Sequence, residues 1–126
     1  MNQIKELKPV FSSVLHQDFR ELINYGAKAY RGDDAFILKH KQGKDHVNFL
    51  GTGMLRKGFR GKRIAIIGKN RYEWMLAYFA TLCGLGICVP LDKGLPYDEV
   101  ESSLIRSYTD ILVFDKAHLD IVEELK

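Results

Sequence analysis

Three stretches of the chain are apolar almost without interruption: Arg63-Ile-Ala-Ile-Ile67, Ile87-Cys-Val-Pro-Leu91 and Ile111-Leu-Val-Phe114. None alternates with polar residues, which is the pattern of strands covered on both faces in a parallel sheet. A shorter run, Ala35-Phe-Ile-Leu38, reads as a fourth strand. Around these runs the apolar spacing becomes helical, and the order helix, strand, helix, strand, helix, strand, helix, strand, helix emerges. That alternation predicts an α/β fold, a mostly parallel sheet flanked by helices and joined by right-handed crossovers.

Several helix starts carry a chemical signature. Asp18 with Glu21, and Asn70 with Glu73, have the spacing of capping boxes, in which the first side chain accepts a free backbone N–H and the second reaches back. Asp45 is placed to cap a helix through Val47, Leu50, Met54 and Leu55, and Asp115 to cap one from Lys116 to Glu124. Pro96 suits a first helical position ahead of Tyr97 to Ser107, whose Asp98, Glu99 and Glu101 lie near the positive end of the helix dipole. Lys39 to Asp45, dense in charge and glycine, reads as an exposed loop. The helix from Tyr72 to Cys83 differs from the rest, being apolar on nearly every side. Such a helix must be covered on nearly every side. Part of its surface is therefore expected to meet something else: more chain, a second copy in a homodimer, or a partner.

Composition narrows the class. The 126 residues are 46% apolar and 28% charged, enough core for a single domain over 1–126 and too small for two. The amino terminus mixes charge with apolar residues and lacks the core of an export signal. The eighteen uncharged residues from Trp74 to Leu91 approach a membrane span in length. Gly84, Gly86 and Pro90 instead break them into helix, turn and strand, so no transmembrane segment is expected. Cys83 and Cys88 sit in apolar surroundings as reduced thiols, and a cytoplasmic location follows. The net charge of +3 says little about partners. Residues 31–63 hold nine basic against three acidic side chains, and residues 92–126 four against nine. Phe59 is nearly alone as an aromatic among those basic residues, so no nucleic-acid surface is expected.

Candidate chemistry is sparse. Gly51-Thr-Gly53 fails as a dinucleotide fingerprint, having Arg56 in the third glycine position, and Gly58-Phe-Arg-Gly61-Lys62 fails as a phosphate loop. Gly68, Lys69, Asn70 and Arg71 have a better context, following a central strand and opening a helix where free N–H groups can hold an anion. The simpler reading makes Gly68 the turn and Asn70 the cap. His16, His40, His46 and His118 are scattered without metal-ligand spacing, and surface or capping roles are expected for them. No catalytic residue and no metal ligand is marked.

The stretch Gly61-Lys-Arg-Ile-Ala-Ile-Ile-Gly-Lys-Asn-Arg-Tyr-Glu-Trp74, followed by Val89-Pro-Leu-Asp-Lys-Gly-Leu-Pro96, resembles the amino-terminal region of AMP-forming acyl-CoA synthetases. These belong to the adenylate-forming superfamily, and bacterial long-chain fatty acid CoA ligases are the nearest match. The likeness extends upstream to Asp18-Phe-Arg-Glu-Leu, Ala35-Phe-Ile-Leu and Leu50-Gly-Thr-Gly, and downstream from Glu101 to Phe114, so it covers most of the chain. It implies a partial amino-terminal subdomain of a two-step ligase. ATP and a carboxylate would give an acyl-adenylate and pyrophosphate, and coenzyme A would then take the acyl group. ATP, Mg²⁺ and coenzyme A are implied for the complete enzyme, and no cofactor for this chain alone. The family's Ser/Thr/Gly-rich loop ending in Pro-Lys-Gly, its aromatic-Gly-x-Thr-Glu segment, its ribose-binding Asp and its mobile-domain Lys have no counterpart here. This chain is therefore expected to be inactive by itself. Only a short charged loop separates Phe36-Ile-Leu38 from Val47-Asn-Phe-Leu50, where the family carries a further strand, which puts its edge hairpin in question. Two other readings remain open: a free-standing dimerising or partner-binding module, and a small flavodoxin-like anion binder acting through Gly68 to Arg71.

Overall fold

The computed structural model describes residues 15–29 and 43–125. Helices α1 (Phe19–Ala29) and α2 (Gly43–Arg56) precede β1 (Arg63–Ile67), α3 (Tyr72–Ala80), β2 (Ile87–Pro90), α4 (Tyr97–Arg106), β3 (Ile111–Phe114) and α5 (Leu119–Glu124). The strands form a parallel sheet in the order β2-β1-β3, with Ile64 opposite both Cys88 and Ile111. The expected α/β class and the three uninterrupted strands are observed. The Ala35 to Leu38 strand, and with it the edge-hairpin question, lies outside the described residues.

Because β1 is central, Ile64 to Ile67 are all buried. Their side chains alternate between the two faces. Ile64 and Ile66 share a cluster with Ala77 of α3 and Leu85, against which Met54, Phe59, Trp74, Tyr78, Cys88, Ile111 and Val113 pack. Each buried isoleucine contributes about 1.5–3 kcal/mol over an exposed one. Ala65 and Ile67 point to the opposite face. Right-handed crossovers that run first from β1 to β2 and then back past β1 to β3 put α3 and α4 on opposite faces.

Local signals fared unevenly. Asp18 Oδ1 accepts the Glu21 N–H at 2.7 Å, as the box predicts, while the Glu21 carboxylate accepts from Gln17 at 2.6 Å, one residue earlier than expected. Asn70 does not cap α3. The N-cap is Arg71, extended at φ −142° and without a capping side chain, because the turn out of β1 is one residue longer than the spacing suggests. Pro96 is the N-cap of α4 and precedes its first turn. Helix α2 begins at Gly43, so Asp45 lies inside it and residues 43–45 are not loop.

The apolar helix also ends earlier than expected. Regular α3 stops at Ala80, and Thr81–Leu85 form a wider turn with Gly84 at φ 105°, a conformation open to glycine at little cost. The Arg20 guanidinium of α1 donates to the Cys83 carbonyl exposed by that turn. Much of the cover for α3 comes from the chain itself: Phe19 meets Phe79 with ring centroids 5.7 Å apart, and His46 of α2 bonds the Tyr72 hydroxyl at 2.6 Å. Trp74 is half-buried and stacks on Tyr78. Among the described residues no helix is long and apolar enough to cross a membrane.

After the wide turn, Gly86 leads into β2 against the backbone of Lys62, whose carbonyl accepts the Ile87 N–H at 2.9 Å. A Cβ at Gly86 would overlap that carbonyl oxygen. Gly86→Ala is therefore expected to destabilise the fold by about 2–3 kcal/mol. Urea unfolding measures it, and an unchanged midpoint would contradict the close approach.

Candidate functional site

The chain's direction across the sheet reverses between β2 and β3, so the connections leaving β1 and β3 diverge. In open α/β sheets that reversal opens a crevice at the strands' carboxyl ends, where ligands commonly bind. A cleft of about 250 Å³ lies there. Ile66, Val113, Phe114 and Trp74 give it apolar walls; Lys69, Arg71 and Lys116 bring positive charge, and Asp115 and Glu73, the latter 3.9 Å from Arg71, bring negative charge.

Of the four anion-site candidates, Gly68, Lys69 and Arg71 line this cleft, whereas Asn70 does not. The loop they form already has an acceptor. Asp115, arriving at the end of β3, takes the Lys69 N–H on Oδ2 at 2.8 Å. Its Oδ1 accepts the Ala117 N–H at 3.1 Å, capping the short 3₁₀ turn Lys116–His118 that leads into α5. The predicted cap at Asp115 is thus observed, and it carries a second role that local spacing could not show.

His118 completes the arrangement. Its Nδ1 lies 2.6 Å from Asp115 Oδ1, and its Nε2 lies 3.0 Å from the Lys93 carbonyl oxygen in the loop after β2. At 6% exposure it is buried, which corrects the expected surface or capping role. The reason is that one of its partners lies 25 residues away in sequence, beyond any local signal. The Lys69 N–H, followed by the His118 hydrogen bond, pulls the Asp115 carboxyl down to a pKa of about 2. For His118, burial opposes the charge, but the hydrogen bonds to Asp115 and the Lys93 carbonyl outweigh it and raise the pKa above 6.5.

Elsewhere the chemistry is quiet. Burial pushes the Cys88 thiol up to about 11 and also raises that of Cys83, as expected of structural thiols. Among the described residues no group of three or more His, Cys, Asp or Glu side chains is arranged to hold a metal ion. In the Gly68 to Arg71 loop the Lys69 N–H is thus already held by an ionised carboxylate.

A family model described as AMP-binding enzyme matches residues 20–126. The chain belongs to this family. A plipastatin synthase polypeptide of Bacillus subtilis (strain 168) is 26% identical over 88 residues, which is 69% of this chain and 2% of that protein. A structure assigned as a long-chain-fatty-acid CoA ligase from Rhodopseudomonas palustris CGA009 superposes with a TM-score of 0.74 at 25% identity, covering 86% of this chain and 30% of its own. The anthranilate CoA ligase AuaEII, solved with anthranoyl-AMP, shares the fold at a TM-score of 0.76 and 18% identity, over 90% of this chain and 23% of that one. The fold is that of the amino-terminal subdomain of adenylate-forming enzymes, and the chain spans under a third of the relatives it matches.

Because Asp115 titrates lower in the folded than in the unfolded chain, the stability it contributes is fully present above about pH 4 and is lost as the pH falls toward its folded value. Denaturant midpoints measured between pH 5 and pH 2 are expected to fall more steeply for the wild type than for Asp115→Asn. Parallel slopes would show that the carboxylate is not held as described.

Proposed function

We propose that this chain is the amino-terminal α/β segment of an AMP-forming acyl-CoA synthetase, inactive alone, whose complete form activates a fatty acid with ATP and passes it to coenzyme A. The observation that carries the reading is the family match over residues 20–126 together with a shared ligase fold. The cleft supports the second half of it. Adenylation needs fixed donors aimed at the triphosphate as charge develops. Here the Lys69 N–H is occupied by Asp115, whose own charge is balanced by His118.

In this reading the chain's part is structural. Its buried β1 holds a rigid sheet, and Lys69, Arg71, Lys116, Glu73 and Asp115 give the strand ends a charged rim of both signs beside which other elements carry out the chemistry. ATP, Mg²⁺ and coenzyme A would be held by the four family elements that have no counterpart in this sequence.

In a pyrophosphate-release assay with ATP, magnesium and palmitate, the 126-residue chain is expected to stay at the no-protein blank. Release above the blank would overturn the assignment of the chain as structural. The DNA following the Lys126 codon supplies the complementary check, with an in-frame Ser/Thr/Gly-rich loop ending in Pro-Lys-Gly expected.

A further inference from the structure

We propose that His118 is a proton-dependent clasp on the carboxyl edge of the sheet: as an imidazolium it ties the loops after β1, β2 and β3 together, and as a neutral ring it releases the loop after β2. The inference stands apart from the acyl-CoA synthetase reading and rests on counting donors. The ring's two nitrogens face Asp115 Oδ1 at 2.6 Å and the Lys93 carbonyl oxygen at 3.0 Å. An ionised carboxylate and a main-chain carbonyl can only accept. The imidazolium alone carries an N–H on both nitrogens. A neutral ring must turn a lone pair toward one of the two oxygens, and with 6% of the residue exposed, water is poorly placed to substitute.

Which tie is released follows from bond strength. The Nδ1–H to carboxylate bond is charge-assisted and the shorter of the two, so the remaining proton stays there. Nε2 is then bare opposite Lys93, and that loop loses its anchor to His118. Its start stays tied to β1 through the Leu91 N–H and the Ile66 carbonyl at 2.9 Å, and beyond that it keeps its own turn, in which the Gly94 N–H donates to Asp92 Oδ1 at 2.7 Å and the Leu95 N–H to the Asp92 carbonyl at 3.3 Å. Asp115 still holds the Lys69 and Ala117 N–H groups, so the ends of β1 and β3 stay joined. The charged groups acting on the ring are Asp115, at the end of β3, which favours the cation, and Lys69, in the loop after β1, which opposes it; the loop after β2 meets it with the Lys93 carbonyl.

Nitrogen-15 NMR of the full chain from pH 6 to 9.5 tests this. Both ring nitrogens of His118 are expected to be protonated at the pH 6 end of the titration. On raising the pH, Nε2 should lose its proton with a midpoint above 6.5, and the Gly94 and Leu95 amide resonances should move with that same midpoint while far-UV circular dichroism stays constant. A ring already neutral at pH 6 overturns the proposal, as do Gly94 and Leu95 amides that ignore the ring's titration. Asp115→Asn, which removes the balancing charge, should lower the ring's midpoint by about one pH unit or more, roughly a tenfold loss of proton affinity. An unmoved midpoint would overturn the proposal equally. Should that variant fail to fold, the wild-type titration decides.

Discussion

Parallel pairing of β1 with both of its neighbours is the constraint from which the rest of the molecule follows. Parallel strands cannot be joined by a tight turn, so each connection must cross over the sheet through a helix. The segments that leave β1, β2 and β3 are thereby collected on a single edge, however far apart they lie in sequence. The central position of β1 buries both its faces and makes it the rigid reference for that edge. The order β2-β1-β3 then opens the crevice between the β1 and β3 ends.

What fills that edge is electrostatic. A helix start after a central strand invites an anion, and here an anion is present, supplied by the chain as Asp115. Its carboxylate joins the β1 loop to the β3 loop, and His118 extends the junction to the β2 loop. Placing a half-buried carboxylate beside a buried histidine is tolerable because each of their polar atoms finds a partner. Lys69 and Lys116, with Arg71 paired to Glu73, remain around a cleft with apolar walls. The fold is that of the amino-terminal subdomain of adenylate-forming enzymes, and in the loop after β1 the Lys69 N–H is already taken by the chain's own carboxylate.

Legibility divides by distance along the chain. The three buried strands can be read because continuous apolar runs and two-sided burial are the same fact seen at two levels. Asp18 and Asp115 can be read as caps because their N–H partners lie three and two residues ahead. Asn70 misleads because nothing in the spacing reveals that the turn leaving β1 runs on to Arg71. The wide turn at Thr81–Leu85 is partly visible in Gly84 and Gly86, but the close approach of Gly86 to the Lys62 backbone, 24 residues away, is not. His118 gives no signal, since a lone histidine in a polar helix start looks the same whether it is solvated or buried.

The sequence by itself determined the fold class, the three buried strands, the caps at Asp18 and Asp115 and the family, because propensity, burial pattern and capping act over a few residues and are written in adjacent letters. Only the tertiary structure decided that Asp115 would occupy the loop after β1 and that His118 would reach Lys93. Those contacts exist because crossovers bring three distant loops to one edge, and no local period encodes which side chain arrives opposite which.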